Sequence, residues 1–237
     1  MRPIELSPRL LSVAQLVPKG VRLADVGTDH AFLPVYLLQR DLICSAVAAD
    51  LREGPLAKAR ANGEKYGLMD KMSFRLCDGL AKIAPHEVDA IAIAGMGGET
   101  IAAILEAAPW TRDGAHKLIL QPMTSLYDLR EFLSQNGYRI KMEHINRDGG
   151  RTYVTMEVEA GQTTPYSEGE LWAGRQWYGM ESPLRADFLA DMERRAARAL
   201  NGLEKSVRPE DFARRALLSR IAPQVKALRE EWLSWQR

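Results

Sequence analysis

The first group of residues with chemical potential surrounds an apolar run near the N-terminus. The run VRLADV at 21–26 includes Asp25 and leads into Gly27, Thr28, Asp29 and His30. Burying a carboxylate inside an apolar run costs free energy, so a turn alone does not account for Asp25. A dinucleotide phosphate would require a G-x-G-x-x-G segment here, and Asp29 would repel it. One glycine flanked by carboxylates suits a ligand that is positively charged and lacks phosphate.

Two further carboxylates follow the next apolar runs. Asp50, with Leu51 beside it, comes about twenty residues after the first glycine, where a carboxylate accepts the two hydroxyls of a cofactor ribose. Asp78 would accept the amino group of a cofactor adenine, and Gly79 would leave room for the ring. S-adenosylmethionine fits this set, because it combines an ammonium, a sulfonium, a ribose and an adenine. NAD shares the ribose, and a helix cap is the structural alternative for each carboxylate.

A glycine-rich segment follows the fourth run, VDAIAIA. It consists of Ala94, Gly95, Met96, Gly97 and Gly98. In a methyl-transferring site this segment would line the cleft that the methyl group leaves, where glycines let a planar base lie against backbone carbonyls. A tight turn from strand to helix is the structural alternative, although three glycines exceed what a turn usually needs.

Alternating apolar runs and helical patterns must position these residues. Apolar, often β-branched runs predict buried parallel strands at 21–26, 43–50, 72–76, 88–94 and 116–121. Helical patterns predict helices at 31–40, 53–66, 99–107 and 125–136, and Ser7 before Pro8 predicts the N-cap of an opening helix. Gly149 and Gly150 predict the turn of an antiparallel hairpin, 138–148 with 151–159. The expected fold class is α/β, a Rossmann-like doubly wound sheet that is mostly parallel with an antiparallel last strand.

The composition changes near residue 161, where polar and breaker-rich residues replace the strand-like runs. We therefore predict two domains, a Rossmann-like domain at 1–160 and a helical domain at 161–237. Ser182 with Pro183 predicts the start of one long helix, and Pro209 the start of a second, antiparallel one. Pro223 predicts a kink or a break in the second helix.

Composition restricts the class of protein. The 237 residues are 46% hydrophobic and 27% charged, which is typical of a globular chain. A net charge of +1 means that nucleic-acid binding needs a local cluster of Lys and Arg. Cys44 and Cys77 lie in apolar runs without metal-ligand spacing, which predicts buried reduced thiols, a cytoplasmic location and no metal. The chain shows no targeting segment and no run long enough to span a membrane, and we expect a monomer.

Four longer strings resemble a single family. They are SVAQLVPKGVRLADVGTDHAFLPVYLL, IAIAGMGGETIAAILE, LILQPM and GGRTYVTMEVE, within roughly residues 9–160. They resemble the bacterial tRNA (adenine-22) N1-methyltransferases, the TrmK family, and the strand-edge carboxylates look like the first three motifs of class I methyltransferases. The resemblance implies a Rossmann-like catalytic domain, a coiled-coil-like helical extension that helps to grip tRNA, and S-adenosyl-L-methionine as the cofactor.

The resemblance also implies site residues. The positions carried over are Asp25, Gly27, Thr28, Asp29, His30, Asp50, Asp78, Gly79, Ala94, Gly95, Met96, Gly97, Gly98, Gln121 and Pro122. We assign those from Asp25 to Gly95, together with Leu51, to the cofactor site, and Asp29, Gly95, Met96, Gly97 and Gln121 to catalysis. Candidate tRNA contacts are Arg194, Arg195, Arg198, Arg214 and Arg215, which are interleaved with acidic residues as on any solvated helix.

The expected reaction is methylation of ring nitrogen 1 of a tRNA adenine, at tRNA position 22. This nitrogen has an in-plane lone pair that attacks the sulfonium methyl without a general base, so the task of the protein is alignment. Enzymes that methylate the adenine amine have an Asn or Asp, two prolines and an aromatic residue at the place where this chain has its glycine-rich segment. The absence of that motif favours methylation of the ring nitrogen over methylation of the amine. Two alternatives stay open: a methyltransferase of another RNA or a small molecule, and a S-adenosylmethionine-binding RNA-interaction protein without catalysis.

Overall fold

One sheet carries the candidate site residues at the ends of its strands. The computed structural model describes residues 3–204 and 206–236. The strands are β1 (Val21–Val26), β2 (Ile43–Asp50), β3 (Met72–Leu76), β4 (Ala90–Gly97), β5 (Lys117–Thr124), β6 (Tyr138–Asp148) and β7 (Arg151–Ala160). The α-helices are α1 (Pro8–Leu16), α2 (Phe32–Leu38), α3 (Glu53–Lys65), α4 (Gly98–Ala107), α5 (Leu126–Gln135), α6 (Glu168–Ala173), α7 (Arg185–Leu203) and α8 (Pro209–Trp235).

The strand order confirms the predicted fold class. The seven-stranded sheet has the order β3-β2-β1-β4-β5-β7-β6. Strands β1 to β5 pair in parallel, and β7 runs antiparallel to both β5 and β6. The order reverses between β1 and β4, so the carboxyl ends of these strands open at the crevice where open α/β sheets bind ligands.

Burial follows the hydrophobic pattern of the strands. Ala90 to Ile93 of β4 and Leu118 to Leu120 of β5 are almost completely inaccessible to solvent. Such residues are buried on both faces, because helices cover both sides of a doubly wound sheet. The predicted hairpin is confirmed: Asp148 pairs with Arg151, and both glycines between them have positive φ.

The fourth strand differs from its prediction at both ends. It begins at Ala90 rather than at residue 88, because a 3₁₀ turn at Pro85–Glu87 occupies the chain just before it. It continues to Gly97, because Met96 and Gly97 still pair with Pro122 and Thr124 of β5. The pairing shifts around Gly95, whose φ of 81° marks an irregularity of the kind that redirects a strand at its end.

The structure bears on two sequence predictions about single residues, and one of them was wrong. Cys44 is exposed rather than buried, because it is the second residue of β2, where the strand still alternates between a covered and an open face. Cys77 is buried as predicted. Pro223 does not break its helix: α8 is continuous through it, since Leu218, Ile221 and Val225 on either side are buried and hold the helix in place.

The chain divides into two compact units. The first contains the residues up to Ser125 together with Phe132–Thr163, and the second contains Leu126–Glu131 together with the chain from Thr164 onward. The first unit holds the whole sheet and α1 to α4. No helix in the described parts of the chain is long and apolar enough to cross a membrane.

The second unit is a helical assembly with two buried arginines. Arg130 donates to the carbonyl oxygens of Leu171 (2.7 Å) and Trp172 (3.0 Å). Arg185 donates from both terminal nitrogens to the carbonyl oxygens of Ala173 and Gly174, each at 2.7 Å. These bonds satisfy carbonyls at the end of α6 that have no partner within that helix.

The two long helices of this unit run antiparallel, as predicted. Arg229 in the last third of α8 pairs with Glu193 in the middle of α7 at 2.9 Å. Arg215 near the start of α8 donates to the carbonyl oxygen of Glu204, just beyond the end of α7. Helix α7 starts at Arg185 with Leu184 as its N-cap, two residues after the predicted N-cap Ser182, whose carbonyl oxygen instead accepts from the Arg185 amide.

Candidate active site

A cavity of about 690 Å³ opens at the carboxyl ends of the central strands of the first unit. Every residue assigned to cofactor binding from the sequence lines this cavity: Asp25, Gly27, Thr28, Asp29, His30, Asp50, Leu51, Asp78, Gly79, Ala94 and Gly95. Parallel strands end at the same edge of a sheet, which explains why residues up to 70 positions apart in the sequence meet here.

Asp25 is a buried carboxylate on the floor of the cavity. Its side chain accepts a hydrogen bond of 2.6 Å from the hydroxyl of Thr28. Burial raises the pKa of Asp25 to about 6; the Thr28 hydrogen bond lowers it, and the nearby negative charge of Asp50 raises it further. A cation placed at this position would therefore relieve an unfavourable charge.

Asp50 is held at the end of β2 by the chain that follows it. One carboxylate oxygen accepts from the backbone N–H of Arg52 at 2.8 Å, and the Arg52 guanidinium lies 3.8 Å from the same oxygen. On the neighbouring strand the backbone N–H groups of Gly27 and Thr28 both donate to the carbonyl oxygen of Ala49. The loop after β1 is thereby fixed against the end of β2, and hydrogen bonds within the chain hold both carboxylates in place.

Glycine is required at two places in the cavity wall. Gly27 has a φ of +74°, and a Cβ atom built on it would overlap Cε of Met96, which also lines the cavity. Gly79 has a φ of +50°, and its Cβ atom would lie 2.9 Å from the Ile104 side chain. A side chain at either position would be strained and would fill space that a ligand needs.

The loop between β1 and α2 contains two strained residues without being glycine-rich. Asp29 (φ 45°) and Ala31 (φ 55°) both adopt left-handed conformations. Between them, His30 stacks on Phe32 with ring centroids 5.0 Å apart, and Asn62 donates to the His30 carbonyl oxygen at 2.8 Å. Left-handed conformations of non-glycine residues cost about 1–3 kcal/mol each and cluster at ligand sites, which agrees with the position of this loop at the cavity.

The residues assigned to catalysis divide into two groups. Asp29, Gly95 and Met96 line the cavity, whereas Gly97 and Gln121 do not. Gln121 is completely buried behind the wall, where its side-chain amide bonds to Arg9 and Thr155. The sequence predicted the end of this strand at Gln121, whereas β5 continues to Thr124. The sequence also does not fix which side of the cavity wall a side chain occupies.

The sequence analysis missed several residues of the cavity. These are Glu5, Leu6, Ser7, Arg9 and Leu10 around the start of α1, and Arg52, Thr100 and Ile104 elsewhere. The opening helix reaches the site through contacts with β6, since Asn146 donates to the Pro8 carbonyl oxygen and the Arg9 amide donates to Asp148. The one local signal was a single arginine on an otherwise uncharged helix.

This arrangement defines a class I methyltransferase site. It combines carboxylates at the ends of β1 and β2, a third carboxylate after β3 and the glycine-rich end of β4, all on a Rossmann-like sheet. The pattern of the Methyltransferase domain family matches residues 6–156 of the chain. The tRNA (adenine(22)-N(1))-methyltransferase of Bacillus subtilis is 40% identical over 169 residues, which are 71% of this chain and 71% of that protein. The chain belongs to the tRNA (adenine-22) N1-methyltransferase family.

Solved structures of relatives extend the similarity over nearly the whole chain. The crystal structure of the B. subtilis m1A22 tRNA methyltransferase TrmK has a TM-score of 0.85 and 29% identity, with 95% of this chain and 99% of that one covered. A Streptococcus pneumoniae structure in complex with S-adenosyl-L-methionine has a TM-score of 0.81 and 35% identity, with 95% and 100% covered.

Proposed function

We propose that this chain transfers a methyl group from S-adenosyl-L-methionine to ring nitrogen 1 of an adenine in tRNA, at tRNA position 22. The observation that carries the proposal is the single cavity in which Asp25, Asp50 and Asp78 meet the glycine-rich end of β4. Membership of a family whose B. subtilis representative has this activity supports the choice of substrate.

The residues of the cavity fit the cofactor. The space beside Gly27 would be closed by any side chain, and the buried Asp25 carboxylate is suited to a cationic ligand. Asp50 and Asp78 line the same cavity, where Asp50 would accept the ribose hydroxyls and Asp78 the adenine amine. When bound, the cofactor supplies an electrophilic methyl group on a sulfonium.

The contribution of the chain to the reaction is alignment and electrostatics. Met96 and the backbone of Gly95 line the wall at the end of β4, where the target base would lie against them. Asp29 lines the cavity from the strained loop, where its carboxylate would stabilise positive charge that develops on the adenine. A neutral ring nitrogen is already nucleophilic, so no side chain has to remove a proton before the attack, and holding the reactants in line supplies the acceleration.

The test is methyl transfer to unmodified tRNA. Purified protein is incubated with radiolabelled S-adenosylmethionine and a tRNA transcript carrying adenine at position 22, and the product is digested for nucleoside mass spectrometry. The expected result is label in 1-methyladenosine, and none with a transcript carrying guanine at that position. Label in another nucleoside would overturn the target atom, and cofactor binding without transfer would support a binding protein that has lost catalysis.

The proposed RNA contacts lie on α7 and α8. Arg194 and Arg195 both pair with Asp191, and Arg215 lies over the Phe212 ring at 5.1 Å. For Arg198 and Arg214, no ion pair forms with any residue that the structure describes. Because phosphate binding requires available cations, Arg198, Arg214 and Arg215 are the strongest of the five candidates.

The proposal extends to the domains of the chain, its location and its oligomeric state. We propose a catalytic domain at 1–160 and an RNA-gripping helical domain at 161–237, in a cytoplasmic monomer. The target nitrogen lies on the Watson–Crick edge of its base, so a paired adenine must be flipped out at a cost of a few kcal/mol, which contacts from a second domain would offset. Size-exclusion chromatography with light scattering tests the monomer.

A further inference from the structure

A buried amide on β5 holds an arginine of the opening helix in the wall of the cavity. The Arg9 guanidinium donates from Nη1 to Oε1 of Gln121 at 2.7 Å. Nε2 of Gln121 donates in return to the Arg9 carbonyl oxygen and to Oγ1 of Thr155, each at 3.0 Å. Both ends of the Gln121 amide are therefore used, and two of its three bonds are to the same arginine.

Further contacts fix the helix that carries this arginine. The Arg9 backbone N–H donates to Asp148 at 3.3 Å, and the Pro8 carbonyl oxygen accepts from Asn146 at 2.9 Å. The Ser12 hydroxyl bonds to the Thr155 hydroxyl at 2.8 Å. The Arg9 backbone is thus anchored to β6 and its side chain to Gln121 on β5, so little conformational entropy is lost when its guanidinium binds an anion.

Arg9 and Arg52 are the two arginines that line the cavity, and they lie at different places. Arg52 stays beside Asp50, 3.8 Å from its carboxylate. Nη1 of Arg9 lies 3.5 Å from the position that a Cβ atom of Gly95 would occupy, at the end of β4. Within the described part of the chain, no carboxylate pairs with the Arg9 side chain.

We propose that Arg9 binds the carboxylate of the amino-acid part of the cofactor, and that Gln121 is a positioning residue that acts through Arg9. The inference rests on the proposed function. With the ribose at Asp50, the amino-acid part would occupy the part of the cavity lined by Asp25 and Gly95, and its carboxylate is the one anionic group of S-adenosylmethionine. A preoriented guanidinium matches a carboxylate with two parallel hydrogen bonds.

The test compares two ligands by calorimetry: S-adenosylmethionine and its analogue that lacks the carboxylate. Arg9→Met keeps the apolar stem and removes the charge, and we expect it to weaken S-adenosylmethionine binding about 10- to 100-fold while changing the analogue less than about twofold. Arg52→Met is the matched control and should not discriminate between the ligands. Arg9→Lys should restore part of the affinity.

Gln121 is tested through its coupling to Arg9. Gln121→Met should weaken binding of S-adenosylmethionine by about three- to tenfold in the wild-type background and not in the Arg9→Met background. Thermal unfolding of each variant identifies a loss that comes from misfolding, and Arg9→Met alone still decides the carboxylate assignment if Gln121→Met does not fold.

Three results would overturn the proposal. They are equal losses for both ligands, no loss for either, and an effect of Arg9→Met on the KM for tRNA alone, which would assign the guanidinium to a tRNA phosphate. A wild-type protein that binds neither ligand would overturn the proposed function as well, so the two failures are distinguishable.

Discussion

Replacing Gly27 by Ala tests the shape of the cavity with a single added carbon. Gly27 has a φ of +74°, and its Cβ atom would overlap Cε of Met96. Gly20 provides a matched control at the other end of β1, because its φ is also +74° while nothing lies within 4 Å of its Cβ position. Gly20→Ala therefore introduces the same backbone strain without the overlap.

The two changes should have similar effects on stability and different effects on binding. A left-handed conformation costs a residue with a Cβ about 1–2 kcal/mol, which for a chain of this size lowers the Tm by about 2–8 °C in both variants. In Gly27→Ala the Met96 side chain must also move within the cavity that it lines. Because the displaced Cε atom ends a flexible side chain, the free protein accommodates it within the cavity at little cost. Clearing that space for the ligand costs about 1–3 kcal/mol, so S-adenosylmethionine should bind about 5- to 150-fold more weakly to Gly27→Ala and normally to Gly20→Ala.

Calorimetry with S-adenosylmethionine and thermal unfolding measure the two effects separately. In the double variant Gly27→Ala with Met96→Ala the overlap is removed, and the affinity should recover in part while the Tm stays low. The reasoning is refuted if Gly27→Ala binds as tightly as the wild type, or if Gly20→Ala loses as much affinity as Gly27→Ala.

Three further predictions concern charges. Asp50→Asn should weaken S-adenosylmethionine binding about 10- to 100-fold through loss of charge-assisted bonds to the ribose, and an unchanged calorimetric affinity would remove that assignment. Because the pKa of Asp25 is raised to about 6, the folded state binds the extra proton, and the free energy of unfolding should fall by up to about 3 kcal/mol as pH rises from about 4 to 6. Urea unfolding at a series of pH values should show this fall for the wild type but not for Asp25→Asn. The same pH dependence of the unfolding free energy in both proteins would contradict the prediction. Arg214→Ala with Arg215→Ala should weaken tRNA binding and lower its salt slope by about one per arginine, with cofactor affinity unchanged, and an identical slope in fluorescence anisotropy would remove these arginines from the RNA surface.

The strands and the carboxylates at their ends were predictable because both are signalled locally. A strand buried on both faces needs an apolar run, and the acidic residue that ends it stands out against that run, as Asp50 does after ICSAVAA. The same local reasoning failed for Cys44, because an apolar run does not show which face of a strand is covered at its first residues. At Pro223 local reasoning left a kink and a break open, and the break does not occur because the packing of α8 outweighs the loss of one hydrogen bond.

The amino-acid sequence was sufficient for the fold class, the order of the elements and the set of residues at the sheet edge, since each depends on periodicity, on turn chemistry or on a family resemblance. The position of the Arg9 side chain in the cavity could not be predicted from the sequence. That arginine reaches the cavity through hydrogen bonds to Gln121 and Asp148, 112 and 139 positions away. Contacts of this kind form only when the hairpin and the opening helix pack together, because no property of residues 1–20 alone specifies which surface the helix will cover.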